Sequence, residues 1–247
     1  MDSYLNTDGL RAVLVVTLAL GQAVMAYWPD LRRWDHTIAS RSAKQQVAIV
    51  PSGWAFAIWG LIFTGCIAFS VWQALPGQLG DPLLRQIGWL AAAVFALNIA
   101  WEYWVPKHDI GWPSVAIIVL SLVLLLSIVF GIAAAGPLQG ARFWLMGAPF
   151  QLYAGWITAA TFVNTASTLK RSGVSFRTAL SLVFLVAAAA LGVAVAYSTG
   201  SIVYASAIAW ALFGIVGANV ARHAAQALVF AAGLAAVSVV AAALAGG

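Results

Sequence analysis

A polytopic bundle of membrane helices, all-α, is the fold class this sequence predicts, and three observations predict it. Of the 247 residues, 63% are apolar and only 8% are charged, against about a quarter charged in soluble domains. The apolar residues fall in long runs parted by Pro, Gly and charged loops, with none of the alternating segments of about ten residues that mark an outer-membrane barrel. Most of the twelve tryptophans lie in or beside those runs, and a ring with a polar N–H belongs either at the lipid–water interface or around a cavity. At about 20 residues per span, the chain has room for eight helices and no sizeable soluble domain.

The first span, 12–28, has one basic flank, Arg11, and no small-residue cleavage pattern before Pro29, which predicts a retained helix rather than a signal peptide. The second, 51–75, opens on Pro51-Ser52-Gly53 and stops at Leu75-Pro76-Gly77. The third, 86–105, ends before Pro106, and the fourth, 112–135, lies between Trp112-Pro113 and Gly136-Pro137. The fifth, 143–169, contains Pro149 near its start, where a kink is expected. Ser172-Gly173 and Thr199-Gly200 then mark off 178–198, 201–218 and 224–245. Cys66 is the single cysteine, so an intrachain disulfide is excluded.

The net charge of +5 is topogenic in its distribution. With eight helices, one side holds nine basic residues (Arg32, Arg33, Arg41, Lys44, Lys107, Lys170, Arg171, Arg177, Arg222) and the other three (Arg11, Arg85, Arg142). The positive-inside rule makes the first side cytoplasmic, puts the N-terminus outside, and removes any need for a nucleic-acid partner. Short loops and the lack of a transit peptide suggest a bacterial inner (plasma) membrane.

Polar residues inside spans cost free energy unless paired or hydrated, so they are the best functional markers here. Asn98 and Glu102 stand one helical turn apart on the third span, beside Trp101, and Asn164 lies late in the fifth beyond Trp156. The second span starts on the same side with Trp54. These segments are expected to converge in the cytoplasmic half of the bundle, with the loop 29–50 over the opening. On the third span Gly88, Ala92, Ala96 and Ala100 recur at every fourth position, a small-residue ridge for a homodimer or a neighbouring helix. Trp101 and Glu102 lie roughly 140° and 240° around from Ala96 at 100° per residue, so one face packs and the other lines something.

Three blocks together resemble the TspO/MBR family, the tryptophan-rich sensory proteins related to the mitochondrial translocator protein. The first is Pro51, Trp54, Phe56, Trp59, Phe63, Gly65, Ala68 and Trp72; the second is Leu97, Asn98 and Trp101; the third is Trp156, Ala160 and Asn164. Order and spacing agree over about residues 10–170, which divides the chain into a five-helix unit, 1–170, and a C-terminal extension of three helices, 171–247. The departures are specific. Val50-Pro51-Ser52-Gly53 replaces the usual prolines, the Pro-Tyr pair of the fifth helix is out of register at Pro149 and Tyr153, and Glu102 stands where a small or neutral residue is usual. No Tyr in the fifth helix has a basic residue within five positions downstream, so steroid binding is not supported.

The resemblance implies a receptor or sensor that holds a planar hydrophobic ligand, a porphyrin or haem or another tetrapyrrole, with no obligatory cofactor. The residues that would bind it are Trp54, Phe56, Trp59, Phe63, Asn98, Trp101, Glu102, Trp156, Ala160 and Asn164. Each has a structural alternative: interfacial anchoring or packing for the rings, interhelical hydrogen bonds for the amides, and a water-reaching carboxylate for Glu102. Trp28, Trp34, Trp89, Trp112 and Trp144 sit near span ends and are expected to be anchors. His36, His108 and His223 fall on loops, beside Asp35 and Asp109 in the first two cases, at spacings that match no metal-ligand motif. Nothing in the chain matches a catalytic triad, a phosphate-binding loop or a dinucleotide fingerprint, so an enzyme is not expected. A secondary transporter using Glu102 and a membrane scaffold for a partner complex are the competing readings.

Overall fold

The computed structural model describes residues 2–34, 36, 40–41, 44, 47–223 and 225–247. Eight long helices form, and no strand occurs among the described residues. Helix α1 is Asp2–Leu31. A 3₁₀ turn, Gly53–Ala57, leads into α2, Ile58–Gln73; α3 is Pro82–His108 and α4 is Trp112–Ala134. A short helical piece, Gly140–Arg142, and a wide π turn, Phe143–Gly147, precede α5, Ala148–Arg171. Helices α6 (Thr178–Thr199), α7 (Ile202–Ala221) and α8 (Gln226–Ala245) complete the chain.

Three departures from expectation have local causes. Helix α1 begins ahead of the expected span, at Asp2, and its turn from Asp8 to Arg11 is held against α3 and the connection before it. Arg11 donates to Asp8 at 2.9 Å and to the Leu79 carbonyl at 2.8 Å, while Arg85 Nε donates to the same aspartate at 2.9 Å. Helix α3 runs past Pro106, which deletes one hydrogen bond without stopping the chain; Asp109, in the left-handed region at φ 73°, makes the turn. The kink expected at Pro149 takes the form of the π turn just before it, where the proline ring would press on the preceding turn of a regular helix.

Helices α1, α3, α4, α5 and α2 pack in that order into a closed ring, so that α2 and α3 face each other across it. Helix α7 packs on α5, α8 joins α6 to α7, and α6 also touches α5. Seven of the eight helices are long and apolar enough to cross a membrane; α5 is the exception. That helix carries Thr158, Thr161, Asn164, Ser167 and Thr168, all buried, because its neighbours are protein rather than lipid. Thr158 and Thr161 satisfy their hydroxyls on the carbonyls of Ala154 and Ile157, at 2.8 and 2.7 Å. Gly155 lets α7 approach: a Cβ there would collide with the Tyr204 carbonyl and lie 2.7 Å from the Ala207 Cβ. The Tyr204 hydroxyl meets Thr158 Oγ1 at 2.9 Å across the same contact.

The two ends of the ring differ in charge. Arg11, Arg85 and Arg142 gather at one end with Asp8 and Asp81. At the other end Arg41 bonds Asp109 and Pro106, Arg171 bonds Ile110, and Arg222 bonds Val50. The small-residue ridge of α3 is not one exposed face. Gly88 lies against α1, where a Cβ would sit 2.5 Å from Arg11 Cδ, and Ala92 is buried, whereas Ala96 and Ala100 are exposed.

Candidate functional site

Between the ring helices and α7 lies a narrow cavity of about 60 Å³, well short of the roughly 300–1,000 Å³ of a filled small-molecule site. Its walls follow from which face each helix turns inward. The 3₁₀ turn and α2 contribute Phe56 and Trp59; α3 contributes Asn98 and Trp101; α4 contributes Ile118 and Ser121. Helix α5 supplies Trp156, Ile157, Ala160 and Asn164, and α7 supplies Ala211 and Ile215. Pro51 and Ile110 lie at the end where the basic loops gather.

The aromatic wall is packed on itself. Phe56 meets Trp156 edge to face at 5.6 Å between centroids, Trp59 meets Trp156 at 6.3 Å, and Tyr153 backs Trp59 at 5.7 Å. Such geometry suits the ring quadrupoles. A large planar guest must part these rings.

Seven of the ten residues singled out from the sequence therefore line one cavity: Phe56, Trp59, Asn98, Trp101, Trp156, Ala160 and Asn164. Three do not. Trp54 is 49% exposed and sits edge-on against Trp210 at 5.0 Å. Phe63 is one turn deeper on α2, where it stacks under Trp59 at 5.2 Å. Glu102 lies behind Asn98, 2% exposed, and accepts from Asn98 Nδ2 at 3.0 Å; the same amide donates to Gln22 at 3.2 Å. The helical spacing that puts Glu102 on the face of Asn98 leaves it a turn beyond the cavity wall. Conversely, Ala211 and Ile215 carry no mark in sequence, because an Ala and an Ile in an apolar span look like packing.

The cavity's polar groups are nearly all donors. Ser114 Oγ donates to Asn164 Oδ1 at 3.0 Å, while Asn164 Nδ2, Trp101 Nε1 and Trp156 Nε1 have no partner among the described residues. An indole N–H can only donate, so each of these buried groups lacks an acceptor, at a cost of order 1–3 kcal/mol. These donors belong to residues of the cavity wall, but their nitrogen atoms are themselves buried, so a guest that brings acceptors reaches them only when the rings part.

Nearby features are structural. Trp34 lies under Lys107 at 4.0 Å and against Tyr103 at 5.9 Å, and Trp28 lies under Arg32 at 4.7 Å. Trp89, Trp112 and Trp144 are exposed. His108 packs on Trp104 at 4.2 Å, Asp35 lies outside the described residues, and the loop 29–50 is described only in part. Among the described residues no three His, Cys, Asp or Glu side chains gather to hold a metal ion.

The family model described as TSPO-like protein matches residues 12–245, running from α1 into α8. No curated protein and no solved structure matches the chain.

Proposed function

The chain belongs to the TSPO-like protein family, and from that membership we propose that it is a membrane receptor for a planar hydrophobic ligand of the porphyrin or tetrapyrrole class. The observation that carries the reading is the pairing of aromatic walls with the unpartnered donors Trp101 Nε1, Trp156 Nε1 and Asn164 Nδ2. A tetrapyrrole offers a flat apolar face to Phe56, Trp59 and Trp156, and its carboxylates and ring nitrogens are acceptors for those donors. Asn98 orients the contact from α3, held by Gln22 and Glu102. The membrane is the inner membrane of a bacterium, with the basic loops in the cytoplasm, by the excess of nine basic residues over three.

Receptor is favoured over transporter by the closed end of the ring, where Asp8, Arg11 and Arg85 are bound to one another rather than lining a path. Helices α2 to α5 with α7 surround the ligand, and the exposed Ala96 and Ala100 offer a face for a second copy.

The test is titration of the detergent-purified full chain with protoporphyrin IX and with haem, followed by tryptophan quenching, beside a Trp101→Ala/Trp156→Ala variant. Saturable quenching that the variant loses is expected. Non-saturable quenching, equal in both proteins, would mean partition into the micelle and would sink the receptor reading.

A further inference from the structure

The segment from Val47 to Ala57, irregular as far as Ser52 and 3₁₀ from Gly53, lies at the cavity's mouth and carries the lining residues Pro51 and Phe56. Irregular backbone at membrane depth is tolerated only where protein satisfies its N–H and C=O groups. The partners here come from α7, a helix outside the five-helix ring. Asn219 Nδ2 donates to the Ala48 carbonyl at 2.8 Å, Arg222 Nη2 to the Val50 carbonyl at 3.2 Å, and Trp210 Nε1 to the Ala55 carbonyl at 2.8 Å. In the reverse direction Ser52 N–H donates to the Gly214 carbonyl at 2.9 Å. Four hydrogen bonds thus tie α7 and Arg222, the residue that caps it, to this segment.

The contact is as close as it is because Gly214 has no side chain: a Cβ there would lie 2.8 Å from both the Ala55 Cβ and the Pro51 Cβ. Trp54 and Trp210, edge to face at 5.0 Å, cover the contact. On the same helix Ala211 and Ile215 reach the cavity itself, both nearly fully buried. At 211 the side chain is a methyl group, and a larger one would project into the cavity and limit how far a ligand can extend there.

We propose that α7 is a working wall of the ligand site: Ala211 limits the size of ligand accepted, and Trp210, Gly214, Asn219 and Arg222 position the mouth segment. The size limit rests on the receptor reading; the positioning role does not. Ala211 is a specificity-determining residue, and the other four are positioning residues that act through Pro51 and Phe56.

Two measurements on the full chain in lipid nanodiscs test this. For size selection, protoporphyrin IX is titrated into Ala211→Gly, wild type and Ala211→Phe. The expected order is affinity at least as tight as wild type for Gly and at least tenfold weaker for Phe, with similar thermal unfolding for all three. Helix propensity alone would make Gly the worse substitution, so the order separates occlusion from damage to the fold. If wild type binds and Ala211→Phe binds equally well, the size limit is overturned while the receptor reading survives.

For positioning, amide hydrogen exchange is followed over 48–57 and over α2 in Trp210→Phe and Asn219→Ala. Faster exchange confined to 48–57 is expected, with Trp210→Phe keeping the ring but losing its donor. Unchanged protection in both variants overturns the positioning role, whether or not wild type binds protoporphyrin IX. Absence of saturable binding by wild type would instead overturn the receptor reading and the size limit with it.

Discussion

The two ends of the helix ring handle buried polar groups in opposite ways. At the Asp8 end, Arg11 is almost wholly buried, yet it bonds Asp8 and the Leu79 carbonyl, and Arg85 completes the aspartate. Asp81 joins in from the α2–α3 connection: it accepts from the amides of Leu83 and Leu84 at 2.9 and 3.0 Å and from Arg142 at 2.6 Å. Both carboxylates there are fully answered inside the protein, while Arg11 Nε and Gln73 Oε1 are left without a partner among the described residues. At the cavity end, Trp101, Trp156 and Asn164 present donors with no acceptor. The contrast is one of charge: paired ions hold the first end together, whereas the second end has neutral indole and amide donors on an aromatic cavity wall.

The most damaging way to probe the contrast is to remove one partner at the paired end. Asp8→Ala strands Arg11 and Arg85 and is expected to cost about 3–5 kcal/mol, read as a large loss of resistance to unfolding by dodecyl sulfate. A change under about 1 kcal/mol would mean that the network is solvated and not a clamp. Next in size is Gly155→Val, which drives side-chain atoms into the Tyr204 carbonyl. Overpacking costs about 1–3 kcal/mol, and the variant should loosen α7 before it disturbs α1 or α3, as seen in exchange of 202–221.

At the cavity end the sign reverses. Trp156→Phe and Trp101→Phe delete unpartnered N–H groups, so each is expected to leave stability unchanged or raise it slightly. Each should weaken protoporphyrin IX binding five- to tenfold, the effect of about one hydrogen bond. Loss of stability without loss of affinity would assign these indoles to packing.

The smallest effect belongs to Asp81. Burial acts to raise its pKa, but the Leu84 amide, the Arg142 guanidinium and the Leu83 amide outweigh it and hold the carboxyl below its usual 3.8. Because the folded value is the lower one, the stabilisation is complete above the unfolded value and is lost as pH falls through the folded value. Asp81→Ala should therefore cost about 1 kcal/mol at neutral pH, and unfolding measured well below pH 4 should no longer distinguish it from wild type.

How much of this was legible in the sequence depends on what each residue does. The eight spans could be placed because Pro, Gly and charge interrupt the apolar runs, and only the ends moved: prolines 29 and 106 lie inside α1 and α3 rather than after them. Asn98, Trp101, Trp156 and Asn164 were legible because polar and aromatic side chains at helical spacing inside an apolar run have few bland explanations. The displacement of Glu102 from the cavity was not, since a shared helical face does not fix depth, and Gln22, which completes its amide bridge, lies on another helix. The α7 wall was hidden for a different reason. Its cavity residues are Ala211 and Ile215, and its Gly214 works through an absent side chain, so nothing in composition separates them from lipid-facing neighbours such as Phe213, which is exposed. Trp210 was conspicuous, but its partner is a backbone carbonyl 155 positions away.

The low apolarity of α5 has a consequence for biogenesis. A segment less apolar than its neighbours, as α5 is here, gains less transfer free energy on leaving the translocon for lipid. It is expected to enter together with the more apolar α4 and α6 on either side. Fused singly to an insertion reporter, 148–171 is expected to enter the bilayer less often than the hairpin 112–171. The nascent chain therefore cannot enclose a ligand until its most polar helix has been ferried into place, which makes the cavity a late product of synthesis rather than something the first helices could assemble by themselves.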